Sequence, residues 1–255
     1  MDPIARQGGG LQDDGKRINP NLDKMLKIID DTTDYVVLEK PAGLLVHPAP
    51  GHTGLTLVDE LLSKYPELKN TGDNPARPGL VHRLDKDASG LMVVAKTQAM
   101  FNDLKQQFQN RTVNKEYITL VHGVMTPTQE HDVIDKPIGR AHGRIARMAA
   151  HSQSLDSAKE AKTEYWVIKR LRHHTLLRVK IHTGRTHQIR VHMFSLGYPL
   201  VGDKIYIQKR VKPAKNIERL FLHSNKLGFK DLAGAYHEYE SELPDELNNF
   251  LNSLK

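Results

Sequence analysis

The stretch Leu80-Val81-His82-Arg83-Leu84-Asp85-Lys86-Asp87-Ala88-Ser89-Gly90-Leu91-Met92-Val93-Val94-Ala95 decides how the chain is read. Two apolar runs, Leu80-Val81 and Leu91 to Ala95, read as strands, and the polar residues between them read as a turn closed by Ser89-Gly90. Asp, Ser and Gly are ordinary turn formers, so by composition alone this is a polar hairpin loop. Loops carried on rigid strands are also where catalytic groups sit. Here two carboxylates, Asp85 and Asp87, stand beside two cations, Arg83 and Lys86.

The same texture extends outward from this stretch. On its N-terminal side, Ile28-Ile29, Tyr35 to Leu38 and Leu44 to Val46 are short apolar runs bounded by turn residues. Thr56 to Lys64 reads as a helix, with Thr56 and Asp59 in capping-box spacing and Leu57, Leu61 and Leu62 on one face. On its C-terminal side, Thr97 caps a helix whose Met100, Phe101, Leu104 and Phe108 form a stripe, and a strand follows from Val113 to Val124. Thr163 to Leu171 and Leu176 to Ile181 alternate across His173-His174 as the arms of a hairpin. Thr186 to Leu196 reads as helical, Leu220 to His223 and Ala235 to Glu240 as late strands, and Pro244 opens a last helix. Mostly antiparallel strands with a few helices packed on them make an α+β protein.

Composition narrows the function classes. In 255 residues there is no apolar run near the ~20 needed to span a bilayer. With no cysteine there is neither a disulfide scaffold nor a thiolate zinc site. Together with the lack of a secretory signal this makes the cytoplasm the expected location. A net charge of +7 points to a polyanionic partner. Residues 1–23, with Gly8-Gly9-Gly10, read as a flexible tail too short for an added RNA-binding module, leaving 24–255 as one catalytic domain.

A second segment concentrates charge: His182-Thr183-Gly184-Arg185-Thr186-His187-Gln188-Ile189-Arg190-Val191-His192. Five of its eleven residues are His or Arg, at the expected junction of a strand and a helix. A helix start among cations suits a phosphate, and a solvated basic helix start has the same spacing. A metal site is not expected despite 14 histidines. His187 and His192 are five apart and share no helix face, and no His-Glu-x-x-His pattern occurs.

Arg83-Leu84-Asp85, preceded by His82 and followed by Ser89-Gly90, resembles the signature loop of the RluA/RluD-type pseudouridine synthases. Four further blocks agree in the family's order: Lys40-Pro41-Ala42-Gly43 with His47-Pro48; Lys115-Glu116-Tyr117 with Val121-His122-Gly123; Thr183 to His192; and Pro199 to Asp203 with Tyr206. The resemblance runs from about Ile28 to the C-terminus. It implies a mixed, mainly antiparallel central sheet with flanking helices and a catalytic cleft. By position it makes Asp85 the catalytic aspartate and Tyr117 the ring that stacks on the flipped uracil. Arg83 becomes the residue that fills the vacated helix stack, and Arg190, rather than Arg185, the basic partner of Asp85. His82, Arg185 and His187 complete the expected RNA contacts. Lys96, Lys105, Arg111, Lys115, Arg140, Arg144 and Arg147 are further candidates for phosphate. The chain departs from the family at Ala88, Ile207, Phe221 and Ser224, none of which replaces the aspartate.

The implied reaction breaks the N1–C1′ bond, rotates the uracil and joins C5 to C1′. Nothing is oxidised, so no cofactor is expected. Asp85 attacks C1′, adds to the uracil ring or takes the C2′ proton; the sequence leaves all three open. An arginine partner gives the carboxylate orientation and compensates its burial. The expected partner is a stem-loop of ribosomal or transfer RNA, met by a monomer without a membrane or an obligate protein partner. Two competing readings remain. A non-catalytic RNA-binding protein of the same fold is one, and it sits poorly with an intact Asp85, Tyr117 and Arg190. A metal-dependent phosphoesterase is the other, and it predicts inhibition by chelators.

Overall fold

The computed structural model describes residues 26–49, 51, 53–141, 148–150, 158–208, 211, 214 and 216–254. The 1–23 tail, Arg144 and Arg147 lie outside them. In chain order the elements begin with β1 (Lys27–Asp31), β2 (Tyr35–Lys40), α1 (Leu57–Lys64), β3 (Ser89–Ala95), α2 (Gln98–Gln109) and β4 (Asn114–His122). Then come β5 (His131–Asp135), β6 (Ile138–Arg140), β7 (Met148–Ala150), β8 (Lys162–Arg170), β9 (His174–Ile181) and α3 (Gln188–Ser195). The chain closes with β10 (Leu222–Lys230), β11 (Tyr236–Glu240) and α4 (Asp245–Ser253).

Nine strands form one sheet in the order β1-β2-β3-β10-β4-β9-β8-β5, with β11 added to β10; β6 and β7 pair separately. Every pairing between these strands is antiparallel except that of β3 with β10, which meet in parallel at Ser89/His223 and Gly90/Ser224. This is the expected α+β architecture. Strands β2 and β3 are buried on both faces. Val36, Leu38, Met92 and Val94 pack with Leu57 and Leu61 of α1 on one side. Tyr35, Val37, Leu91 and Val93 pack with Met100, Phe101 and Leu104 of α2 on the other.

Local chemistry sets the helix starts. The N–H of Asp59 donates to Thr56 Oγ1 and the N–H of Thr56 donates to the Asp59 carboxylate, a capping box that contributes about 1 kcal/mol. Thr97 accepts the N–H of Met100 at 3.3 Å. Helix α3 starts at Gln188, two residues later than the sequence suggests. His187 before it takes a left-handed backbone, φ 56°, that ends the preceding turn.

The hairpin expected around Asp85 is not there. Leu80 makes a single bridge to Val94 and the chain then leaves the sheet; Leu44 to Val46 likewise forms no strand, Leu45 making one bridge to Thr56 at the start of α1. The physical reason is side-chain substitution. His82 Nε2, not a backbone carbonyl, accepts the Val93 N–H at 3.1 Å. Lys86 O is drawn instead to the N–H of Gly43 at 2.8 Å and the ammonium of Lys40 at 3.1 Å. Ser89 and Gly90 consequently open β3 rather than closing a turn.

Candidate active site

Residues 83–88 form an anchored loop whose carbonyl side is held from below. Lys40, 1% exposed, donates to the carbonyl oxygens of Pro41 (2.7 Å), Leu44 (2.9 Å) and Lys86 (3.1 Å). Burial, and then the charge of Arg219, push its ammonium down to about 7, against the opposing pull of Asp85 and Asp87. The N–H of Ala88 closes on Asp85 O at 3.2 Å. The loop thus presents the Asp85 carboxylate, 16% exposed, to a cavity of about 560 Å³.

Arg190, on the first turn of α3, meets that carboxylate: Nη1 donates to Asp85 Oδ2 at 3.2 Å. Its stronger partner is Asp203. Nε donates to Asp203 Oδ2 at 2.7 Å and Nη2 to Oδ1 at 2.9 Å, a two-pronged pair with a carboxylate that is wholly buried. Asp203 Oδ1 also accepts the N–H groups of Ile205 (2.8 Å) and Tyr206 (2.9 Å). Burial works against the guanidinium charge, but the bonds and charge of Asp203, and then Asp85, outweigh it and raise the pKa of Arg190 further. The Tyr206 ring lies 5.1 Å from the guanidinium.

Tyr206 also ties in His187. Its hydroxyl accepts the N–H of Met148 at 3.0 Å and lies 2.9 Å from His187 Nδ1. Burial, then the charges of neighbouring groups, leave the pKa of His187 below its ordinary value. Gln188, 3% exposed, pins the preceding loop to β8. It accepts from Arg185 N and Thr183 Oγ1 and donates to Lys162 O and Thr163 Oγ1.

Tyr117 points inward from β4, 6% exposed, opposite Ser224 in the sheet register. Burial raises its pKa, partly offset by a hydrogen bond with the Ser224 side chain. One of the four departures thus touches the candidate stacking ring. Arg83 is exposed at the rim, with Nη1 3.2 Å from His47 Nε2; the other His47 nitrogen, Nδ1, donates to Pro48 O at 2.9 Å.

The remaining sequence candidates separate. His82 is turned inward, stacked on Phe108 at 4.8 Å. Burial and the nearby Lys115 push its imidazole down to about 3; Nε2 holds β3, and the residue also lines the cavity. Arg185 lines the cavity away from the Asp85–Arg190 pair, with Nε on Glu160 O at 2.8 Å. Arg111 also lines it and grips the Glu160 carboxylate with both terminal nitrogens, at 2.9 and 2.7 Å. Lys105, at the rim, pairs with Asp73. Lys96 does not line the cavity and pairs with Asp31 at 2.9 Å, its ammonium 5.0 Å from the Tyr65 ring centroid. Arg140 is exposed on β6. Among the described residues no group of three His, Cys, Asp or Glu side chains is arranged to hold a metal ion. Asp203 and Lys40 stand in quoted sequence blocks, but only the fold reveals that one braces Arg190 and the other the Asp85 loop.

Comparison with known proteins follows this geometry. The family model described as RNA pseudouridylate synthase matches residues 34–195. The chain is 43% identical over 219 residues to an uncharacterized RNA pseudouridine synthase of Aquifex aeolicus, covering 85% of this chain and 67% of the relative. It is 42% identical over 241 residues to the ribosomal large subunit pseudouridine synthase D of Pseudomonas aeruginosa, covering 90% and 72%. Among solved structures, human RNA pseudouridylate synthase domain containing 4 superposes with a TM-score of 0.70 at 26% identity, covering 91% of this chain and 93% of that one.

Proposed function

The chain belongs to the RNA pseudouridylate synthase family, and from that premise we propose that it isomerises uridines of large-subunit ribosomal RNA through Asp85. It is an RNA pseudouridine synthase, an isomerase whose substrate is RNA. The finer assignment to ribosomal RNA rests on similarity to relatives named for the ribosomal large subunit.

The observation that carries the role of Asp85 is its setting. It is the cavity-facing carboxylate that meets Arg190, and Arg190 is itself locked by Asp203. That brace fixes the direction of the Asp85 oxygens before a nucleotide arrives, so little reorganisation remains for the reacting complex. Tyr117 is the stacking partner for a uracil turned out of its helix; one stacked base is worth about 1–3 kcal/mol against the few that flipping costs. Arg83, exposed at the rim, occupies the space the base leaves. Arg185 and His187 contribute the RNA-facing wall. Among the described residues no helix is long and apolar enough to cross a membrane.

The test is direct. Unmodified large-subunit ribosomal RNA, transcribed in vitro, is incubated with the protein and mapped for pseudouridine. Wild type forms the product at defined positions, and Asp85→Asn, nearly isosteric and neutral, forms none while retaining RNA affinity. Product formation by the variant at near wild-type rate removes Asp85 from the mechanism. Conversion of transfer RNA alone overturns the ribosomal assignment.

A further inference from the structure

Among the described residues, Lys115 is the cation of the cavity wall that is both buried and without an anion. It is 8% exposed on β4, and its ammonium has no hydrogen bond or ion pair; it lies near the His82 imidazole and 5.0 Å from the centroid of the Phe108 ring. The other cations of the wall differ. Arg190 is held by Asp85 and Asp203, Arg111 by Glu160 and Lys105 by Asp73; Arg185 is half-buried and donates to the Glu160 carbonyl, while Arg77 and Arg83 are exposed. An ammonium taken from water without a counter-charge is costly, and the ring face recovers only part of that cost. In keeping with this, burial pushes its pKa down to about 8. A site that needed only packing would be served by an apolar chain of the same length.

Position says what the missing anion is. Lys115 and Tyr117 are two residues apart on one strand and both point inward, so their side chains leave the sheet about 7 Å apart on the same face. If the uracil stacks on Tyr117, the reach along the strand to Lys115 is the reach from a base to the sugar–phosphate chain that bears it. We propose that Lys115 is the buried phosphodiester ligand of the flipped nucleotide, its charge left unpaired in the free protein and paired only when RNA enters. The proposal rests on the reading of Tyr117 and Asp85 given above and singles out Lys115 from the phosphate candidates by giving it one specific phosphodiester.

Lys115→Met and Lys115→Arg separate the possibilities. The probe is unmodified large-subunit ribosomal RNA transcribed in vitro. Its affinity is measured at several salt concentrations, alongside single-turnover rates at limiting and saturating RNA and the melting temperature of the free protein. Lys115→Met is expected to bind about tenfold more weakly and to lower the slope of log K against log salt by about 0.7–0.9, one phosphate contact. It is also expected to melt at the same or a higher temperature, because the unpaired charge is gone. Its rate loss is greater at limiting than at saturating RNA. Lys115→Arg restores the slope and most of the affinity. A slope unchanged in Lys115→Met overturns the proposal, as does a rate loss at saturating RNA with affinity intact, which makes Lys115 a contact to the base. Should Lys115→Met melt far below wild type, the residue is a structural filler and the proposal is equally overturned. Failure of the underlying reading looks different: wild type then yields no pseudouridine, whatever the slopes.

Discussion

At the scale of single residues, the site is organised around one guanidinium shared between two carboxylates. Asp203 is the deeper of the two, and all its recorded contacts are made as an acceptor, two from Arg190 and two from backbone N–H groups. Asp203→Asn turns a donor toward the guanidinium and leaves the positive charge buried with Asp85 alone. The expected cost is about 3–5 kcal/mol in urea unfolding. The single-turnover rate should fall at least a hundredfold, because Arg190 no longer aims Nη1 at Asp85. Full activity in a destabilised Asp203→Asn would show that Arg190 needs no brace. Tyr117 makes a second, independent case. Phe at this position keeps the ring face and most RNA affinity, whereas Ala forfeits about 1–3 kcal/mol of stacking, so equal losses in binding assays would assign the effect to the hydroxyl instead. That Asp85, Tyr117 and Arg190 would share one cavity was legible, because each stands in a sequence block of the family. The sequence left Asp203 without a role, since no local spacing announces that a carboxylate after a loop turns back onto a helix thirteen residues earlier. The packing of His82 was not legible for a related reason: its neighbours in space, Phe108 and the backbone of Val93, are distant in sequence.

At the scale of elements, what could be read ahead were those with a complete local signature. Helix α1 has its capping box, α2 its Thr97 cap and apolar stripe, and β8 with β9 the alternation of a hairpin. Strands β5, β6 and β7 were not legible, because five residues such as His131-Asp132-Val133-Ile134-Asp135 carry too little apolar pattern and are defined only by their partner β8. The site depends on one junction that sequence also could not show, the parallel contact of β3 with β10. Gly90 sits there at φ 114°, and a Cβ added to it would lie 2.3 Å from Ser224 O and 2.6 Å from Ser224 N. Those are backbone atoms, so no rotamer change relieves the overlap. Gly90→Ala must push β3 away from β10 just where the Asp85 loop enters the strand and where Ser224 faces Tyr117. The expected result is destabilisation of at least about 2 kcal/mol with a loss of activity larger than the unfolded fraction explains. Urea melts and single-turnover assays on the same preparation decide it. A fully active, equally stable variant would mean that the strands separate without moving the loop.

At the scale of the whole molecule, histidines turned in from solvent make stability depend on pH. Burial, then the charge of Lys115, pushes His82 down to about 3, and burial is the first cause that pushes His223 down to about 4. His223 is locked between Ser89 Oγ and Ser241 Oγ, at 2.8 and 3.0 Å. Both rings are neutral in the folded protein and take up a proton in the unfolded chain below about pH 6.5. The unfolded state therefore binds more protons between about pH 6.5 and 4, and unfolding free energy must fall as pH is lowered through that window. Each histidine contributes a slope approaching 1.4 kcal/mol per pH unit, so the two together remove about 2–3 kcal/mol between pH 6 and 5. Lys40 acts at the other end with a related sign: its folded pKa of about 7 lies below the ordinary lysine value, so the unfolded state again binds more protons above pH 7, and stability rises toward alkaline pH. The measurement is unfolding free energy from urea titrations at pH 7.5, 6 and 5, for wild type and for His82→Gln. Glutamine offers an acceptor for the Val93 N–H but does not titrate, so the variant should keep the fold and lose roughly half of the two-histidine slope. A wild-type profile that stays flat from pH 7.5 to 5 would mean that these rings are charged, or open to water, in the folded state. The role of His82 as a neutral acceptor for the Val93 N–H would then have to be given up.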